Sequence, residues 1–141
     1  MPIIAKILGY LGLIPFLFYP LHMLLDLQWL TSMQAQIAFT QYSAVILSFF
    51  GGIHWYQAIC EPKNSHQLYV AMLPSISAWL SMLIFDIKIT LFVLSVSHLL
   101  ILMYDKHYLR LPKQLVIGYT KMRLILTTIV IVCHMLMTWS V

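Results

Sequence analysis

Charge is what this sequence most lacks. Only 9% of its 141 residues are Asp, Glu, Lys or Arg, and four of those are acidic, against roughly one-quarter charged residues in soluble domains. With 62% hydrophobic residues and a mean hydropathy of +0.90, that shortage excludes a water-exposed globular domain. Cysteine is scarce too. Cys60 falls at one end of an apolar run and Cys133 about fourteen residues into another, so their depths differ by roughly 20 Å and no disulfide joins them. CxxC, HExxH, P-loop and GxSxG patterns are all missing, so no catalytic residue is assigned and no enzyme class is indicated. A zinc site is disfavoured, because the histidines lack close spacing and carboxylate support. Internal repeats are absent as well, which argues against an inverted-repeat transporter.

What the chain has in abundance is apolar sequence. Uncharged intervals run from Leu27 to Cys60, Asn64 to Phe85, Ile89 to Tyr104 and Leu124 to Val141, and a fifth run from Ile3 to Leu25 carries only Lys6. Each approaches the ~20 residues that cross a ~30 Å hydrocarbon core. The expectation is an all-α membrane protein, a bundle of five transmembrane helices at about 3–25, 35–59, 67–85, 88–104 and 119–140, forming a single domain over 1–141. The first run has no small-residue cleavage site and contains Pro15 and Pro20, so it reads as a retained span rather than a leader. Gly9, Gly12 and Pro15 predict that it is kinked and closely packed. Turns are expected at Asp26 to Gln34, with Gln28 and Trp29 at the interface, at Glu61 to His66, with Pro62 and Asn64, and at Asp86 to Lys88.

The few charges are unevenly shared. Lys6, Lys63, Lys106, Arg110, Lys113, Lys121 and Arg123 fall on one side of a five-span topology and Lys88 on the other. The positive-inside rule then places the N-terminus in the cytoplasm and the C-terminus outside. The net charge of +4 is explained by these short loops and helix ends. Nucleic acid is excluded as a partner, and the lipid bilayer is the expected one.

The most informative segment is Tyr42 to Trp55, YSAVILSFFGGIHW. Ala44, Ser48 and Gly52 recur every four residues and predict a seam where a neighbouring helix comes close, while Gly51 leaves room on the face of His54. In the fourth span His98 and Asp105 share a face. In the fifth, Tyr119, Arg123, Thr127, His134 and Thr138 lie within about 100° of arc, a polar stripe that must face protein or water. At ~1.5 Å per residue, His54 lies about 9 Å from Cys60 and His98 about 10 Å from Asp105. A cluster of His54, Trp55, His98, Asp105, Tyr119 and Arg123 at one depth is expected, with His134 in the other half of the membrane. Such a cluster could simply bond helices together, at about 1 kcal/mol per contact. Alternatively, it would bind a quinone or a lipid headgroup, with His and Tyr on carbonyl oxygens and Arg on an anionic head, or a haem b on His54 and His98. His22 with Asp26 is a weaker pair at a hydrated helix end.

These residues carry a resemblance. LGYLGLIPF at Leu8 to Phe16, the Tyr42 to Trp55 segment, LPSISAW at Leu73 to Trp79, Tyr104-Asp105 and YTKMRLILT ending at Thr127 resemble the transmembrane protein 69-like family (domain of unknown function 3429) of small multi-pass membrane proteins. The likeness covers nearly the whole chain. The family pattern lands on Tyr42, Ser48, Gly51, Gly52, His54, Trp55, Pro74, Trp79, Asp105, Tyr119 and Arg123, and not on His22, His98 or His134, which tells against a two-histidine haem. The resemblance implies a bacterial inner-membrane location and a link to energy-transducing membranes, but no established activity. The leading expectation is an accessory or assembly protein that binds a larger membrane complex, with a respiratory one as the candidate. A redox protein holding quinone or haem, and a lipid-headgroup binder, are the alternatives.

Overall fold

Backbone N–H and C=O groups in hydrocarbon find no water, so each long apolar run closes them within a helix. The computed structural model describes residues 2–27, 29–61 and 66–140. Among these it contains six helices: α1 (Ile3–Leu11), α2 (Ile14–Leu24), α3 (Ser32–Cys60), α4 (His66–Ile84), α5 (Ile87–Tyr108) and α6 (Lys113–Ser140). With α1 and α2 joined as Ile3–Leu24, five segments are long and apolar enough to cross a membrane. Gln28 in the first expected turn and Pro62, Lys63 and Asn64 in the second lie outside the described residues.

The expected bounds stop short at the basic end. α5 continues past 104 to Tyr108, and α6 begins at Lys113 rather than 119. A charge ends an apolar run in sequence, but helix continues through the headgroup layer, where Lys and Arg reach water along flexible stems. The start of α3 is set by a capping box: Thr31 Oγ1 accepts from the Gln34 N–H at 3.2 Å and Gln34 Oε1 from the Thr31 N–H at 3.0 Å. Asp86 likewise caps α5 by accepting from the Ile89 N–H at 3.0 Å.

The first span is broken as its glycines and proline predict. α1 ends at Leu11, Gly12 follows as its cap, and Pro15 sits in the first turn of α2. Proline has no N–H to give back to the preceding turn. The Tyr42 hydroxyl donates to the Gly12 carbonyl at 2.8 Å, so α3 supplies a bond at the break.

α3 is the pivot of the bundle, packing against α2, α4 and α5, while α6 packs against α1, α2 and α5. The seam with α4 runs one residue round from the expected ladder. Ser43, Leu47, Gly51, His54 and Ala58 are buried, whereas Gly52 is exposed and would find no atom within 4 Å of an added Cβ. Ala44 and Ser48 are only half-buried. A spacing of four drifts about 40° per step, and the sequence offered two adjacent small residues without showing which faced inward. Gly51 does: a Cβ there would collide with the Ala71 carbonyl oxygen and touch Pro74. Gly51→Ala is therefore expected to lower stability by about 1–3 kcal/mol through overpacking. Gly52→Ala should leave it unchanged or raise it by up to ~1 kcal/mol through helix propensity. Thermal unfolding of the two variants in the same detergent checks the pair, and equal losses would contradict this assignment of faces.

Candidate functional site

Four spans meet at one carboxylate. Asp105 on α5 is 7% exposed, and both of its oxygens are used. Oδ1 accepts from His54 Nε2 on α3 at 2.6 Å, and Oδ2 accepts from Arg123 Nε on α6 at 2.7 Å. Gln67 on α4 donates to His54 Nδ1 at 3.1 Å, which leaves the imidazole proton on Nε2, facing the carboxylate. The same amide nitrogen lies 3.0 Å from Gln57 Oε1, and Gln57 donates to the Arg110 carbonyl at 3.0 Å. The polar chain thus runs from the bundle interior to the basic end, where Arg110 pairs with Glu61 at 3.1 Å.

Arg123 was counted by sequence among the interfacial cations, yet it is 1% exposed. Burial of a guanidinium in an apolar bundle requires a counter-charge, which Asp105 supplies. The guanidinium carbon also sits 3.4 Å from the centre of the Phe50 ring, a cation–π contact in a dry setting. Nη2 approaches Asp105 Oδ2 at 2.6 Å but is misaligned for a hydrogen bond, so it counts as an ion contact only. Nη1 has no hydrogen-bond partner.

The expected single-depth cluster divides in two. Ser43 on α3 links His98 on α5, at 3.2 Å, with His134 on α6, at 2.9 Å. Ser95 spends its hydrogen on the Leu91 carbonyl at 2.8 Å, so His134 Nδ1 donates to Ser95 at 2.7 Å. Ser43 then donates to His134 Nε2 and accepts from His98 Nε2. His134 does lie apart from His54, as expected, but His98 stands with His134, and the expectation that His98 shares the level of His54 is corrected. Counting depth from Cys60 on one helix and Asp105 on the other treats the two as one plane, whereas Asp105 is level with His54. Eleven residues, ~16 Å at the helical rise, separate Ser43 from His54 along α3. A haem iron does not fit between His54 and His98, since both nitrogens of His54 are hydrogen-bonded and His98 is held at the other level. Trp55 is 44% exposed, pointing off the cluster. Tyr119 does stand beside Asp105 and Arg123 along a small crevice.

Next to this site is a cavity of about 440 Å³. α1 packs on α6 and leaves space toward α3, so the walls come from the first span, α3 and α6, with His98 from α5. Exposed Leu8 and Phe49 form its rim, so it opens sideways, toward lipid. The lining includes His98, Tyr119, Arg123 and Thr127, but the surface it turns to the cavity is almost wholly apolar. The Tyr119 hydroxyl, Arg123 Nη1 and Thr127 Oγ1 lie behind that wall rather than on it: each is buried and has no aligned hydrogen-bond partner among the described residues, although the Tyr119 hydroxyl stands within reach of the Arg123 side chain. Thr127 is the informative case. Thr40, Thr128 and Thr138 each bond the carbonyl four residues back at 2.8–3.0 Å, the usual way a threonine satisfies itself in a helix. Thr127 does not, although it is 2% exposed.

Sequence reasoning brought together His54, Asp105, Tyr119 and Arg123, but missed Gln67, Ser43 and Phe50. Gln67 is two residues into α4 and reads as a hydrated helix end. Ser43 lies beside the apparent ladder, and Phe50 carries no polar signal. A family model described as Protein of unknown function (DUF3429) matches residues 1–139; the name transmembrane protein 69-like is no part of that description. No curated protein and no solved structure matches the chain.

Proposed function

We propose that the chain, which belongs to the DUF3429 family, is a multi-pass membrane protein that takes an amphiphilic ligand from the bilayer into its lateral cavity. The observation that carries this reading is the cavity itself, an almost wholly apolar hollow of about 440 Å³ walled by the first span, α3 and α6. A hollow of this kind left empty forfeits dispersion contacts that a lipid-soluble chain would supply. The volume falls within the roughly 300–1,000 Å³ of small-molecule sites. Asp105, fixed by His54, holds Arg123 in place and so orients the wall.

Ile46 is half-buried on α3 and lines the cavity without joining the polar chain. Ile46→Phe should fill part of the space and lower the amount of copurified amphiphile severalfold, measured by solvent extraction and mass spectrometry. Thermal unfolding should be nearly unchanged. Identical extracts from both proteins would end the reading.

An accessory role in a larger inner-membrane complex belongs to a different class. What favours it is the outward strip at Gly52, where a partner helix could approach closely beside half-buried Ala44 and Ser48. Crosslinking in native membranes at native expression should then recover a reproducible larger complex, lost in Gly52→Leu. Monomer alone would count against it. The positive-inside expectation puts the Arg110–Glu61 end of the bundle in the cytoplasm.

A further inference from the structure

We propose, resting on the lateral-cavity reading, that the cavity holds one acyl chain of an anionic phospholipid from the leaflet at the basic end of the bundle, with the lipid phosphate outside the cavity at Lys6.

The hollow is a slot parallel to the helices. Its lining covers Ala5 to Phe16 on the first span and Tyr119 to Val130 on α6, ~16 Å of each at the helical rise. As the first and last of five spans, the two run the same way, and a Cβ on Gly9 would stand 3.1 Å from Met122 Sδ. The slot therefore starts near the basic end and reaches toward the bilayer middle, as an acyl chain does from its glycerol. Ala5, Gly9 and Gly12 open it, because they give the first span almost no side chain on this face. The wall turns almost no polar surface inward, so a polar head would lose its water without finding partners, whereas a hydrocarbon chain gains contacts.

The head is then left at the level of Lys6, the residue after Ala5, which is exposed. Gly9 faces Met122 and Leu126, so Lys6, three residues earlier, stands about level with Lys121. α6 has 28 residues, about 42 Å, enough to cross a ~30 Å core with roughly 6 Å to spare at each end. Lys121 is eight residues from Lys113, about 12 Å, which puts the Lys6 backbone roughly 6 Å inside the hydrocarbon edge. From there a lysine stem snorkels outward and carries its ammonium to the phosphate layer.

Charge selects the kind of head. Of the four carboxylates, Asp105 is bound by His54 and Arg123, and Glu61 by Arg110. Asp26 follows α2 and Asp86 precedes α5, both at the opposite end of the bundle. Among the described residues Lys6 thus has no carboxylate partner. A zwitterionic head would bring its own cation to an end that already exposes Lys106 and Lys113. An anionic phosphodiester brings only the missing counter-charge.

The test places the full chain in phosphatidylcholine nanodiscs doped with phosphatidylglycerol whose acyl chain bears a diazirine near its middle. After irradiation, labelled residues are read by mass spectrometry. Met122 and Leu126 in the slot should be labelled, beside lipid-facing Trp79 and Phe92, which report the ordinary surrounding lipid. Ile46→Phe should abolish the slot labelling alone. Lys6→Gln should lower it about fivefold, the worth of one lysine at an anionic lipid, while Lys6→Arg keeps it. The same diazirine on phosphatidylcholine should label the wild-type slot as weakly as Lys6→Gln is labelled by phosphatidylglycerol. Neither change at this exposed position should shift thermal unfolding. Slot labelling equal for the two heads and indifferent to Lys6→Gln would overturn the anionic head and leave the cavity reading standing. Labelling confined to Trp79 and Phe92 would overturn the acyl chain altogether. In that case extracts that still change in Ile46→Phe would mean that the cavity holds another amphiphile, and unchanged extracts would defeat both readings.

Discussion

Asp105→Leu is expected to cost the folded protein about 3–5 kcal/mol, the loss that follows when one partner of a buried ion pair is removed. Arg123 would then be a cation 1% exposed in an apolar bundle, and His54 Nε2 would lose its 2.6 Å acceptor. Arg123→Leu added to the same chain should restore most of that loss. Replacing both members of a buried pair by apolar side chains is often neutral, whereas orphaning one is not. What remains is the unpaired His54 donor, about 1–3 kcal/mol. Unfolding free energies of the two single variants and the double variant decide it: a double variant as unstable as the sum of the singles would show that the pair is not what couples α5 to α6.

Ser43→Ala has the second-largest expected effect, although it removes a single oxygen. Ser43 is fully buried and mediates between His98 and His134, at 3.2 and 2.9 Å. Its loss leaves the His98 Nε2 donor and the His134 Nε2 acceptor without the hydroxyl they share, at about 1–3 kcal/mol for each unsatisfied group. The total expected is about 2–6 kcal/mol, far above the near-zero change for an exposed serine such as Ser32. Thermal unfolding of Ser43→Ala beside Ser32→Ala checks it. A loss no larger than that of Ser32→Ala would mean that the two histidines find other partners.

How much of this was legible beforehand follows from what each residue type announces. The five spans were, because an apolar run of about twenty residues has almost no alternative fate. The break at Gly12 and Pro15 was, since both act on the backbone locally. Asp105, His54 and Arg123 were also legible as a group, because ionisable residues in hydrocarbon require partners. Register was not. Whether His98 stands level with His54 or with His134 depends on how α3 and α5 slide past one another, and their apolar surfaces leave that offset to side-chain packing. The inward choice of Gly51 over Gly52 likewise depends on a contact with Ala71, 20 residues away and on another helix. Neither quantity has a local signature in the chain.

The sideways mouth at Leu8 and Phe49 has a consequence for how any binding must be measured. A compound reaching the cavity through lipid is counted as a mole fraction of the bilayer, so its aqueous concentration sets occupancy only through partitioning. Two ligands with equal contacts to the wall would show very different apparent affinities in water if one dissolves better in the membrane. Diluting the bilayer with inert lipid at constant total ligand should therefore empty the site, while diluting the buffer should not.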